Sequence, residues 1–307
     1  MRLGPTHDSN VLICDVRAVP QAGRLAGQQV GGRLSSRHGY RWEEEVGSGS
    51  CEDVGVAAAL VTGVGRRRGI GAGIAAGLAE DGWDLVLSYW LPYDRRLGLE
   101  GTPDDPQVMA EELRARGRRV ELVQVDLEDP AGASSLIGAA AGRLDRLDAL
   151  VMSHCESVAS GVLDTTVESF DRHYAVNVRA TWLLLAAFAR QLGPAGGAAV
   201  ALTSDHTVGN LPYGVTKGAL DRLVLAAAHE LGDLGLRTNV INPGPVDTGW
   251  MDDTVRAAGL AQQPTGRLGT AQDTANLVRF LLSERGSWIN GQLLYSNGGF
   301  PTGHLPN

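Results

Sequence analysis

The chain has 307 residues with a formal net charge of −8, 43 % hydrophobic residues and only three cysteines, at 14, 51 and 155. An acidic balance with scattered arginines excludes an electrostatic case for nucleic acid, and the longest apolar run, TWLLLAAFA at 181–189, is too short for a bilayer span. The cysteines are too far apart to suggest a disulfide framework or a zinc pair. No basic segment leading into a long apolar run is found near the start, so no signal peptide is expected, and a reducing cytoplasm is the expected compartment.

Residues 1–54 are rich in Gly, Ser, Gln and Arg, carry an acidic cluster at 43–45 and show no sustained periodicity. They read either as a poorly ordered extension or as a misassigned start. From residue 55 onward one domain is expected. Seven short apolar runs, at 56–62, 84–90, 119–125, 148–153, 198–204, 237–242 and 291–296, read as strands. Helical patterns near 70–81, 106–117, 131–144, 167–192, 213–233 and 271–284 separate them. Near-continuous apolar strands alternating with helices predict a parallel sheet covered on both faces. The fold class is therefore α/β, a single doubly wound Rossmann-type domain on a seven-stranded parallel sheet.

The first strand runs into TGVGRRRGIGAGIAAGLA at 62–79. Gly63, Gly69 and Gly71 sit at a strand-to-helix junction, where glycine tolerates positive φ and leaves room for a pyrophosphate. The helix that follows offers free N–H groups and a positive dipole end. The second strand ends in Ser88, Tyr89 and Trp90, with no carboxylate before Asp94 to hold a ribose 2′-hydroxyl. A guanidinium nearby, Arg68 or Arg67, would instead suit a 2′-phosphate. NADP(H) is therefore expected over NAD(H).

Tyr213 and Lys217 stand four apart in YGVTKGAL, and residues four apart on a helix share a face. Lys217 is the only lysine in the chain; at every other basic position the chain uses arginine. A free tyrosine has a pKa of about 10, and a neighbouring ammonium would lower it so that the phenol exchanges protons at neutral pH. An ammonium is also slim enough to reach ribose hydroxyls, which a planar guanidinium does not replace. Ser204, at the end of the fifth strand, could hydrogen-bond a carbonyl oxygen as charge develops; Thr203 is the alternative, on the opposite face of the strand. His154 and Cys155 are adjacent and lack ligand spacing, so no metal is expected. Ser204, Asp205 and His206 are consecutive and cannot converge as a hydrolase triad.

These features together resemble the short-chain dehydrogenase/reductase family, and in particular its 3-oxoacyl-acyl-carrier-protein-reductase-like members. The resemblance covers about residues 56–300 and implies an oxidoreductase interconverting a carbonyl and a secondary alcohol. It implies a catalytic tetrad of Asn177, Ser204, Tyr213 and Lys217, with Asn177 in a proton relay ending at the lysine. The glycine loop with Ile70, then Asp126 and Leu127 at the adenine, then Pro243, Gly244, Val246 and Thr248 of NPGPVDT near the nicotinamide are implied as cofactor contacts. His154, His206 and Trp250 are candidate substrate contacts; His206 reads equally as a surface residue, and Trp250 also as oligomer or core packing. The partners implied are a small carbonyl or alcohol substrate and other copies of the chain, as a tetramer or dimer, with no nucleic acid and no membrane.

Three departures from the family pattern stand out. Five residues separate Gly63 from Gly69 where three are usual. Nine positions separate Ser204 from Tyr213 where about a dozen are usual. Met152, Ser153, His154 and Cys155 replace the usual Asn-Asn-Ala-Gly, so that either the sheet is held differently or cofactor affinity is altered. A mobile lid is expected in 249–269, from its glycines and its place after the Pro-Gly segment. A reading from another class is a dinucleotide-binding regulator without turnover.

Overall fold

The computed structural model describes residues 56–99 and 101–301; the expectation for residues 1–54 lies outside them. Seven strands form one parallel sheet: β1 Ala58–Thr62, β2 Asp84–Tyr89, β3 Val120–Gln124, β4 Ala149–Met152, β5 Gly197–Leu202, β6 Leu236–Asn242 and β7 Leu293–Tyr295, in spatial order 3-2-1-4-5-6-7. The sheet starts at its middle strand, β1, winds outward to β3, then crosses back to place β4 on the other side of β1. That crossing opens a crevice at the carboxyl ends of β1 and β4, the place where ligands bind in open α/β sheets.

The helices are α1 Ile70–Glu80, α2 Leu91–Leu97, α3 Asp105–Arg114, α4 Pro130–Leu144, α5 Val167–Tyr174, α6 Ala180–Gln191, α7 Leu211–Glu230, α8 Asp253–Ala261 and α9 Ala271–Leu282. The central strands β1, β4 and β5 are apolar over almost their whole length because each face meets its own core. Ala58 and Leu60 pack with Leu136, Leu184 and Phe188 on the α4, α6 and α7 side. Ala59 and Val61 pack with Ile74, Leu78 and Val278 on the α1, α3 and α9 side. This alternation is the two-residue period of a strand.

Two helix features differ from the sequence expectation. The helix expected over 167–192 is broken by a π-helical turn at Ala175–Arg179, a form found mostly as single-turn bulges at functional sites. Residues 91–97 form a helix that periodicity did not reveal, started by Pro92 and stopped by Gly98 at φ 61°. The segment expected to be a lid contains α8, whose residues all remain outside the core. Its first turn is capped by Asp252, which accepts from the Val255 N–H at 2.7 Å.

Candidate active site

The glycine loop leaves β1 at Gly63, with φ +74°, and a Cβ there would lie 2.7 Å from the His154 nitrogen and the Ser153 oxygen. Gly71 is as tightly placed, since a Cβ would meet the Gly63 oxygen at 2.9 Å. Helix α1 starts directly after Gly69 with no side-chain cap and no acidic residue in its first turn. A helix start of that kind suits an anion, because N–H dipoles converge there and no carboxylate competes. A cleft of about 350 Å³ runs from this loop past Asp126 and Leu127 to Tyr213, Lys217, Pro243 and Thr248.

Tyr213 and Lys217 lie one turn apart on α7 and both line the cleft. Lys217 is 2 % exposed, and its Nζ donates to the Leu202 carbonyl at 2.8 Å. The ammonium lies 5.6 Å from the centre of the Tyr213 ring. Burial holds the lysine below its usual pKa. The expected lowering of the phenol is absent here. Burial pushes the Tyr213 pKa up, the neighbouring Cys155 adds to the rise, and the polar influence of Ser204 works in the opposite sense. The physical reason is that desolvation penalises the phenolate strongly.

Strand β5 ends at Leu202, so Ser204 sits two residues beyond it, in the loop before α7. Ser204 borders a second, shallower hollow with Asp221 and Tyr295, whereas Thr203 contributes to the main cleft. The Ser204 Oγ also accepts the His206 N–H at 3.1 Å, and His206 itself is exposed. Asn177 lies in the π turn and is fully buried. Its Oδ1 accepts the Glu156 N–H at 2.8 Å, and its Nδ2 donates to the Glu156 carbonyl and to Thr216 Oγ1, each at 2.9 Å. The amide therefore pins the segment after β4 to α7, and no hydrogen bond runs from it to Lys217.

The segment replacing Asn-Asn-Ala-Gly holds the sheet through a histidine. His154 Nε2 faces the Val176 carbonyl at 3.2 Å, and its Nδ1 lies 2.7 Å from Thr62 Oγ1. A carbonyl only accepts, so Nε2 carries the proton and Nδ1 accepts from the threonine. Thr62 Oγ1 also accepts the Ser153 N–H at 3.1 Å. Burial, with Lys217 nearby, lowers the His154 pKa to about 3. Both ring nitrogens are thus committed to joining β1, β4 and the π turn.

The arginines of the long loop diverge. Arg67 pairs with Glu112 on α3, and Arg68 lies 3.6 Å from Asp247; both are about half exposed and neither lines the cleft. Arg66, which the sequence reading did not single out, does line it. Its Nε donates to Asp94 at 3.0 Å and its Nη1 to the Thr248 carbonyl at 2.7 Å. The two extra loop residues shift the register, so the arginine next to Gly69 is not the one that faces inward. Tyr93, Asp94 and Arg96 of α2 and Glu156 are further cleft residues that the sequence reading missed. The Pro92 start and Gly98 stop were the available signal for α2.

Pro243 and Thr248 line the cleft, while Gly244, at φ +63°, packs against Asn297. Val246 is buried and bridges to Gly269. Trp250 is 51 % exposed, beside the buried Met251. Among the described residues no group of three or more His, Cys, Asp or Glu could hold a metal ion, and no helix is long and apolar enough to cross a membrane.

Known proteins place this crevice in a class, the NAD(P)-dependent oxidoreductases. The model of the family described as enoyl-(acyl carrier protein) reductase matches residues 63–301. The chain is 31 % identical over 252 residues to the uncharacterized oxidoreductase YjdA of Bacillus subtilis (strain 168), covering 80 % of this chain and 97 % of the relative. It is 31 % identical over 255 residues to an NADPH-dependent aldehyde reductase-like protein, chloroplastic, of Arabidopsis thaliana, covering 79 % and 93 %. A short chain dehydrogenase from Burkholderia cenocepacia J2315, solved in complex with NADP, superposes with a TM-score of 0.71 at 31 % identity, over 80 % of this chain and 97 % of that one. The chain belongs to the short-chain dehydrogenase/reductase family and is an NAD(P)-dependent enzyme of it.

Proposed function

We propose that the enzyme uses NADP(H) to interconvert a carbonyl and a secondary alcohol on a small molecule, through Tyr213, Lys217, Ser204 and Asn177. The observation that carries this reading is one cleft lined by both the glycine loop and the Tyr213–Lys217 pair. Its residues fit a dinucleotide: an uncapped helix start for the diphosphate, with Asp126, Pro243 and Thr248 lining the same cleft as the tyrosine. When bound, the nicotinamide supplies or accepts the hydride.

The protein's part is proton handling and orientation. Burial holds the phenol's pKa up, and the protonated phenol is the state that donates to a carbonyl oxygen. Ser204, in the loop between β5 and α7, is the hydroxyl assigned to orient the same oxygen. Lys217 places its donors between the phenol and the end of β5. Asn177 acts through position, holding the Glu156 backbone against Thr216 beneath the pair. NADP(H) over NAD(H) is supported by the end of β2, where Ser88, Tyr89 and Trp90 stand and no acid meets a ribose 2′-hydroxyl. The NADP named in the Burkholderia structure points the same way. Assembly into a dimer or tetramer belongs to the same reading, with Trp182 and Trp288 exposed as apolar surface for a second copy.

The test is NADPH oxidation at 340 nm against a panel of aldehydes and ketones, with NADH in parallel. Tyr213→Phe is expected to lose at least a hundredfold in kcat, the usual scale of a general acid, while still binding NADPH. Tight NADPH binding without turnover on any substrate would favour the regulator reading instead.

A further inference from the structure

We infer that residues 91–97 form a strap across the cleft, latched by Asp94 on Arg66, and that an entering dinucleotide takes Arg66 from Asp94 through its diphosphate. The inference rests on the cleft being the dinucleotide site. Helix α2 starts from the end of β2, yet its side chains reach the loop after β1 and the segment after β4. With β1 lying between β2 and β4, the helix crosses the mouth of the crevice at the switch point. Pro92, Tyr93, Asp94 and Arg96 line the same cleft as Asp126 and Tyr213, so a dinucleotide lying in that cleft meets the crossing.

The strap is held by polar ties rather than by a core, since none of its residues is buried. Arg66 Nε donates to Asp94 Oδ1 at 3.0 Å, with the two side chains only 14 % and 16 % exposed. Arg96 Nη2 donates to both oxygens of the buried Glu156, at 2.5 and 2.6 Å, and its guanidinium stacks 5.6 Å from the Tyr93 ring. Arg66 also grips the far wall through the Thr248 carbonyl, so one side chain joins three sides of the cleft.

The latch occupies the phosphate end itself. A Cβ on Gly65 would lie 2.6 Å from Asp94 Oδ2, so strap and glycine loop are in contact where a diphosphate would approach. A carboxylate there repels the diphosphate while occupying the cation that would bind it. Displacing it converts one carboxylate–guanidinium pair into a phosphate–guanidinium pair of the same geometry. The carboxylate released returns to water, and burial already opposes its charge in the latched state.

The experiment is stopped-flow fluorescence of NADPH binding to the full chain, with the observed rate followed as NADPH is raised. If the strap must open first, the wild-type rate levels off at the opening rate. Asp94→Ala is expected to raise that plateau about tenfold, and Arg96→Gln, at the other end, to raise it severalfold. Amide hydrogen exchange over 91–97 in the NADPH-free chain should speed up in both variants while that of α1 and β1 is unchanged. NADPH binding with the same plateau and the same strap exchange in all three proteins overturns the strap alone. No binding of NADPH or NADH to the wild type overturns the dinucleotide reading and the strap with it.

Discussion

A histidine that joins two strands and a helix turn should leave a signature in the acid stability of the enzyme. His154 accepts from Thr62 and donates to Val176 only as the neutral imidazole. Its pKa falls to about 3 in the fold, against about 6.5 in an unfolded chain. Between those values the unfolded chain binds a proton that the folded one refuses, so stability rises with pH through this window and is lost as pH falls toward 3. The slope reaches about 1.4 kcal/mol per pH unit and accumulates to roughly 5 kcal/mol across the window, comparable with the whole stability of a marginal domain. His154→Gln keeps a donor and an acceptor but does not titrate. Above pH 7 it should be less stable than wild type by about 1–2 kcal/mol, from poorer hydrogen-bond geometry. Its advantage should grow as pH falls, because carboxylate titration is common to both proteins and cancels in the difference. Urea unfolding from pH 4 to 7.5 measures this difference, and the imidazole proton resonances report the titration directly. Parallel stability curves for the two proteins, or a His154 midpoint near 6.5, would refute the reasoning.

Lys217→Arg places a group that cannot deprotonate where burial already depresses the lysine; it should cost about 2 kcal/mol or more, read as a lower urea midpoint, together with a fall in turnover. Gly63→Ala combines a left-handed φ of +74° with a Cβ only 2.7 Å from backbone atoms of Ser153 and His154. A loss of at least about 2 kcal/mol and of the NADPH-induced rise in melting temperature is expected. Phe188→Ala empties a fully buried site in the core under α4 and α6 and should cost about 3–5 kcal/mol; in urea unfolding, a loss below 1 kcal/mol would show that the site collapses around the gap.

Much of this enzyme was legible from residue order alone. Seven apolar runs bounded by turns predicted seven strands, and near-continuous hydrophobicity predicted a parallel sheet buried on both faces. A strand is a local object, and its burial is written into its own residues. The spacing of Tyr213 and Lys217 also carried over directly, because a helix turns in a fixed number of residues. Other features depended on distant partners. Three adjacent arginines look alike in sequence, yet Glu112, Asp247 and the pair Asp94 and Thr248 draw them in different directions. The phenol's pKa was set by burial, which requires the packed cleft, and its sign reversed the expectation drawn from a neighbouring ammonium. His154 read as a candidate substrate contact until the fold brought Thr62 and Val176 to its two nitrogens. What sequence determines here is periodicity and local geometry; which charge meets which, and which group is shielded from water, only the closing of the chain on itself decides.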